Sequence, residues 1–192
     1  MNERLEETFI SLAKGAPGQR SIWWRGTWWS RSCLMELVEG CETTLSQTGF
    51  REGQRLALLL PNSPVTLALC LAAWRLGGTV IPLNVQAGEK EILRCTAHAD
   101  VFGAYLCKGF EPLAEALAKN GVPSVITPLE GPIPDLAGRQ GIPETPETAV
   151  IFFTSGTTGE PKGVMVTNAN IRSLVEYMAD RYGLTENDRF SH

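Results

Sequence analysis

Histidine is scarce in this chain: His98 and His192 are the only two among 192 residues. A zinc site built on imidazoles has too few partners here. The five cysteines, Cys33, Cys41, Cys70, Cys95 and Cys107, include no C-x-x-C pair. Four of them lie among apolar neighbours in helix-like or strand-like stretches, so reduced, buried thiols are expected. No block of basic residues exists either. Lys and Arg are scattered, and a formal net charge of -4 gives nucleic-acid binding no electrostatic support. The longest apolar run, "VTLALCLAAW", stops at Arg75 and is too short for a transmembrane segment. The amino end, "MNERLEETFISLAKG", carries three Glu where a secretory signal has a basic region and an unbroken apolar core. A cytoplasmic protein is expected.

What is present has the composition of a folded domain. Apolar residues make up 43% and charged residues 20%, without the polar excess of a disordered chain. The length suffices for one domain with a sizeable core, or for a piece of something larger. Residues 2–14 have the spacing of a first helix. In "SIWWRGTWWS" bulky residues flank Arg25 and Gly26 as in a two-stranded ribbon, and Trp23, Trp24, Trp28 and Trp29 suit strand packing better than a platform for stacking a ligand. Leu34, Val38, Cys41 and Leu45 then recur at helical spacing ahead of Gly49. "RLALLL" reads as a strand buried on both faces. Ser63 and Pro64 supply the cap and first-turn proline of an apolar helix that ends at Gly77 and Gly78. "TVIPLN", a helix over 89–97, "VFGAYL", a helix over 112–119 and "PSVIT" continue the alternation.

Strands alternating with helices predict an α/β fold, a largely parallel sheet with helices on both faces. Such sheets bind ligands beyond the carboxyl ends of their strands. Residues 1–127 form the amino-terminal part of this unit. Residues 128–148 carry five prolines and little apolar content, which predicts a surface loop. Residues 149–192 return to the same domain with a buried strand, "AVIFF", a glycine-rich loop, a second strand and a helix. That helix runs from Asn168 to Tyr182, with Thr167 or Asn168 as its cap and Ile171, Leu174, Val175 and Met178 on one face.

The glycine-rich loop, "TSGTTGEPKG", carries the chemistry. Gly156 and Gly159 permit sharp turns that point successive N–H groups into one concavity, an anion nest. Thr154, Ser155, Thr157 and Thr158 add hydroxyl donors, and Lys162 adds a mobile cation suited to a polyphosphate. Pro161 steers the chain out as extended backbone. The commonest phosphate loop needs two glycines separated by four residues, then Lys, then Ser or Thr. Here Pro161 stands five positions after Gly156, and Lys162 is followed by Gly163, so that loop is excluded. The apolar "VMV" beyond it predicts strand-loop-strand instead of entry into a helix. A bare connecting hairpin is the bland alternative, and the density of hydroxyls, glycines and lysine in nine residues argues against it.

At these residues the chain resembles the adenylate-forming superfamily of AMP-dependent ligases. "TSGTTGEPKGV" is similar to its phosphate-loop motif along its whole length, and "GQRLALLLPNSP" and "AAWRLGGTVIPLN" are similar to stretches that precede the loop in such enzymes. The resemblance covers the chain from about Trp23 onward. It implies a two-step reaction: a carboxylic acid and ATP give an acyl-adenylate and pyrophosphate, and a thiol, usually that of coenzyme A, takes the acyl group. It also implies that Thr154, Ser155, Gly156, Thr157, Thr158, Gly159 and Lys162 hold the β- and γ-phosphates of ATP with magnesium, Lys162 acting catalytically. Many relatives have His where this chain has Asn168, a difference expected to touch packing alone. The family's later elements, an adenine-side segment, a ribose-binding Asp and a mobile domain with a catalytic Lys, do not occur in these residues.

The resemblance therefore implies an amino-terminal fragment of an acyl-CoA-synthetase-like ligase, inactive by itself. A sheet cut short near "DRFSH" would leave apolar surface and a strand edge uncovered, and self-association is expected. A phosphate-binding or regulatory module without chemistry is the reading from another class. Neither the acid nor the acceptor thiol is written in these residues, and a carrier-protein ligase or amino-acid adenylation domain fits them as well.

Overall fold

The computed structural model describes residues 5–141, 147–154, 161–185 and 188–189. Helix α1 (Leu5–Gly15) leads into a separate antiparallel ribbon of β1 (Arg20–Trp24) and β2 (Thr27–Ser30). Arg25 and Gly26, at φ of 47° and 83°, form the two-residue turn whose twist matches a hairpin. Trp23 and Trp28 sit side by side on it, ring centres 5.3 Å apart. The aromatics thus pack across the ribbon, although Trp23 keeps 56% of its surface exposed.

Helix α2 (Arg31–Gln47) begins where the Ser30 hydroxyl accepts the Cys33 N–H, and it buries Leu34, Val38, Cys41 and Leu45. The predicted stripe is the buried stripe. Beyond it, β3 (Arg55–Leu59), α3 (Pro64–Arg75), β4 (Thr79–Pro82), α4 (Glu89–His98), β5 (Gly103–Cys107), α5 (Glu111–Lys119) and β6 (Ser124–Thr127) alternate, followed by β7 (Thr148–Thr154), β8 (Lys162–Thr167) and α6 (Asn168–Tyr182). The six strands β3 to β8 form one sheet in the order β6-β5-β3-β4-β7-β8, parallel throughout except for β8, which runs antiparallel to β7.

Side chains alternate across this sheet with period two. Leu56, Leu58, Val80 and Tyr105 face α2 and α3, whereas Ala57, Leu59, Ile81, Ala104 and Leu106 face α4 and α5. Burial on both faces explains the unbroken apolar strands.

The segment after β6 departs from the expectation of a surface loop. Ile133 and Leu136 are buried in the core with Phe102 and Tyr105, and the Tyr105 hydroxyl donates to the Pro134 carbonyl at 3.1 Å. Arg139 donates from Nε to the Val101 carbonyl and pairs with Asp100 at 3.1 Å. An irregular segment buried without such partners would strand its polar groups. Residues 129–140 are a strap closing the sheet face that the helices leave open. A side chain at Gly138 would run into the Phe102 ring, so the strap lies flush.

The thiols also differ in part from expectation. Cys41, Cys95 and Cys107 are buried and unpaired, but Cys70 is half-buried and Cys33 is exposed. Burial pushes the Cys41 and Cys70 thiols up to about 12. Among the described residues no helix is long and apolar enough to cross a membrane.

Candidate functional site

Strands β3, β4 and β7 are parallel neighbours, so their carboxyl ends share one edge of the sheet. The turns leaving that edge are "LPNSP" after β3, "LN" after β4 and the glycine-rich loop after β7. The first two turns end two of the stretches on which the family resemblance rests, and the loop belongs to the third. After β3 the chain is pinned by the Thr66 hydroxyl donating to the Pro61 carbonyl at 2.7 Å and by the Ser63 hydroxyl accepting the Thr66 N–H at 3.2 Å. After β4 the Asn84 side chain accepts the Gln86 N–H at 2.9 Å. The edge is therefore built of tied turns beside the loop.

The loop is mounted on a hairpin. In β7 the first four residues are buried and the last three emerge, as the apolar "AVI" gives way to "FFT". Thr154, the final residue of β7, stands opposite Lys162, the first of β8. Both are exposed. Ser155, Gly156, Thr157, Thr158 and Gly159 lie outside the described residues, so the structure brings Thr154 and Lys162 together and gives no arrangement for the five between. Gly163, opposite Phe153, has a packing reason: a Cβ there would meet the Ile151 Cγ2 at 3.0 Å. Lys162 thus joins β8 where the backbone must approach β7 closely.

At its far end the hairpin is fastened as well. Thr167 closes β8 and is the N-cap of α6, its hydroxyl accepting the Asn170 N–H at 3.1 Å while the Asn170 carbonyl oxygen accepts from Thr167. Asn168 is the first helical residue instead of the cap, and its N–H donates to the Glu147 carbonyl at 3.0 Å. α6 buries none of its residues.

Sequence reasoning passed over two residues under the hairpin. The Thr79 hydroxyl donates to the Thr148 carbonyl and the Trp74 Nε1 donates to the Ala149 carbonyl, each at 2.8 Å. A lone indole in the apolar helix "LALCLAAWR" was the available signal, since buried Trp normally finds an acceptor. Two surface grooves, of about 320 and 420 Å³, lie against α2, far along the chain from the hairpin. One is lined by residues that include Lys14, Glu36 and Arg75, the other by residues that include Trp29, Cys33 and Ile133. Neither has a lining residue from β7 or β8. The edge at Thr154 and Lys162, where the motif residues stand, is the better candidate.

Residues 10–192 match a family model described as AMP-binding enzyme. Human malonate–CoA ligase ACSF3, mitochondrial, is 31% identical over 155 residues, covering 72% of this chain and 25% of that protein. The long-chain-fatty-acid–CoA ligase FadD13 of Mycobacterium tuberculosis is 29% identical over 167 residues, covering 80% and 32%. Among solved structures, o-succinylbenzoate CoA synthetase (MenE) of Bacillus subtilis, in complex with the acyl-adenylate intermediate OSB-AMP, shares the fold with a TM-score of 0.78 at 21% identity, over 97% of this chain and 48% of that one. The chain spans a quarter to a third of the length of these curated relatives.

Proposed function

The chain belongs to the AMP-binding enzyme family, and from that premise we propose that it is the amino-terminal part of an AMP-forming acid–thiol ligase. Its reaction joins a carboxylic acid to ATP as an acyl-adenylate, with loss of pyrophosphate, and passes the acyl group to a thiol, that of coenzyme A. The observation that carries the reading is the β7–β8 hairpin: it sets Lys162 opposite Thr154 at the carboxyl end of a buried parallel strand, with hydroxyls and glycines filling the sequence between.

In this reading Thr154, Ser155, Gly156, Thr157, Thr158, Gly159 and Lys162 bind the β- and γ-phosphates. Displacement at phosphorus asks little covalent help of a protein and much charge stabilisation on the departing pyrophosphate. Lys162 supplies a full positive charge, and the loop's hydroxyl and N–H groups supply oriented dipoles. Among the described residues no three His, Cys, Asp or Glu side chains cluster as a metal cage. Magnesium suits that donor set by arriving on the phosphates, since it retains waters and needs few protein ligands. When bound, it neutralises phosphate charge.

The acid is the open half of the reading. Relatives are named for malonate and for long-chain fatty acids, and we favour a fatty or aryl acid. Free thiols throughout suit a cytoplasmic setting. The 192 residues by themselves are expected to be inactive.

Carboxylate-dependent exchange of labelled pyrophosphate into ATP tests the proposal, with the longest natural form of the chain and a panel of fatty, aryl, dicarboxylic and amino acids. Exchange with one acid class supports adenylation and names the substrate class. A folded protein that binds ATP and exchanges with no acid would instead be a phosphate-binding or regulatory module.

A further inference from the structure

The pairing of β7 with β8 contains one extra residue. Thr148 is opposite Thr167 and Val150 is opposite Val166, so two steps along β7 match one along β8, and Ala149 is left over. A bulge of this kind fixes which face every later residue of the strand presents, because side chains alternate with period two. From Val150 onward the ladder is regular and ends at Thr154 opposite Lys162. Remove the extra residue and the partners shift by one. Phe153 would then stand opposite Lys162, and the lysine would change faces relative to Thr154.

The bulge is held from outside the β7–β8 ladder. Two adjacent carbonyls, those of Thr148 and of the leftover Ala149, accept the Thr79 hydroxyl and the Trp74 indole N–H, each at 2.8 Å. Thr79 is 1% exposed and heads β4, the strand on the other side of β7. Trp74 comes from the last turn of α3 and packs against the core. The two donors reach β7 where its backbone pairing to β4 is thin, with Val80 opposite Val150 as its register pair. In a regular ladder successive carbonyls point to opposite neighbours, so without the bulge the Thr148 and Ala149 carbonyls could not both face these donors, and a buried hydroxyl or the indole N–H would lose its acceptor.

We infer that Trp74 and Thr79 are positioning residues: they lock the Ala149 bulge and so set the register in which the phosphate-binding hairpin presents Lys162 beside Thr154. The inference rests on the ligase reading only for what that register serves. The lock itself is a property of the fold.

Two experiments test it. The first uses the 192-residue chain with Cys33→Ser, to remove the exposed thiol. Phe152→Cys with Val164→Cys traps the observed register, and Phe153→Cys with Lys162→Cys traps the register lacking the extra residue. Each pair is made in the otherwise unchanged chain, with Trp74→Phe and with Thr79→Val, and disulfides formed under mild oxidant are mapped by mass. The observed-register pair is expected to dominate in the unchanged chain. Its lead over the shifted pair should fall about tenfold for each donor removed, about 1.4 kcal/mol. Equal ratios in all three backgrounds would overturn the lock, and Thr79→Val decides if Trp74→Phe does not fold.

The second measures pyrophosphate exchange in the longest natural form. Trp74→Phe or Thr79→Val should raise KM for ATP about tenfold and leave KM for the acid unchanged. An equal change in both constants, or in neither, means that the two residues support the fold without positioning the loop. If the unsubstituted protein exchanges nothing, the ligase reading falls, and the trapping ratios still decide the lock.

Discussion

Lys162 stands directly opposite Thr154 across the antiparallel β7–β8 ladder, at the one place where the hairpin opens into the glycine-rich loop. A lysine there carries a charge on a flexible stem, and both residues are exposed at the sheet edge. If this cation stabilises departing pyrophosphate, Lys162→Ala should lower carboxylate-dependent exchange about 10²-fold with no change in melting temperature. An exchange rate within twofold of the unsubstituted protein would remove Lys162 from the reaction.

Two glycines should respond to alanine with opposite signs. At Gly163, the second residue of the paired strand β8, an added methyl meets Ile151 at 3.0 Å, whereas at Gly40, inside α2, it meets nothing within 4 Å. Gly163→Ala should destabilise by about 1–3 kcal/mol through overpacking, and Gly40→Ala should stabilise by about 1 kcal/mol through helix propensity. Denaturant titration of both variants gives the signs, and a neutral Gly163→Ala would show that the hairpin yields easily at that point.

Much of the sheet was legible because its cues are local. Burial on both faces makes "RLALL" and "GAYLC" read as strands, and the caps at Ser63 and Thr167 mark helix starts within three residues of the helices they serve. The strap was not legible, since Ile133 and Leu136 are buried by Phe102 and Tyr105, about thirty residues earlier in the chain, and prolines dominate the local signal. The Trp74 and Thr79 bonds to β7 span 75 and 69 residues, beyond any pattern window. At the candidate site, spacing named the loop but could not reveal the bulge, which exists only in the pairing of two strands.

Thiol chemistry gives a third prediction. Cys33 is exposed in the first turn of α2, while burial holds Cys41 and Cys70 at about 12. The thiolate is the reactive form, and at pH 8 a group with that pKa is ionised to about one part in 10⁴. Brief alkylation at pH 8 should label Cys33 and leave Cys41 and Cys70 unmodified until denaturant is added. Mass mapping checks this, and equal labelling of Cys41 and Cys33 in the native protein would contradict the packing of α2.

Concentration-dependent self-association is the fourth prediction. β8 is an edge strand, Val164 and Met165 on it are at least half exposed, and Leu174, Val175 and Tyr177 on α6 are more than half exposed beside it. An uncovered strand edge and exposed apolar side chains near it favour contact between copies. Sedimentation of the 192-residue chain should show a mass that rises with concentration, and Val164→Asp with Met165→Lys should restore the monomer. A monomer mass at all concentrations would mean that the patch is too small or too discontinuous to drive association.

The strap supplies the last prediction, because a surface linker and a core element respond oppositely to truncation. Leu136 is 2% exposed, and its methyls lie where a Cβ at Gly103, the first residue of β5, would come within 2.8 Å. It therefore plugs the sheet face directly, at a point where β5 has no side chain of its own. Leu136→Ala should cost about 2–5 kcal/mol, the range for truncating a buried leucine. Arg139→Ala should cost less, since its ion pair with Asp100 is about one-third exposed and such pairs contribute about 1 kcal/mol or less. The order of the two losses in chemical denaturation is the decisive quantity. A Leu136→Ala protein as stable as its parent would return residues 129–140 to the status of a loop, and with it the claim that this face of the sheet is closed by anything other than α2 and α3.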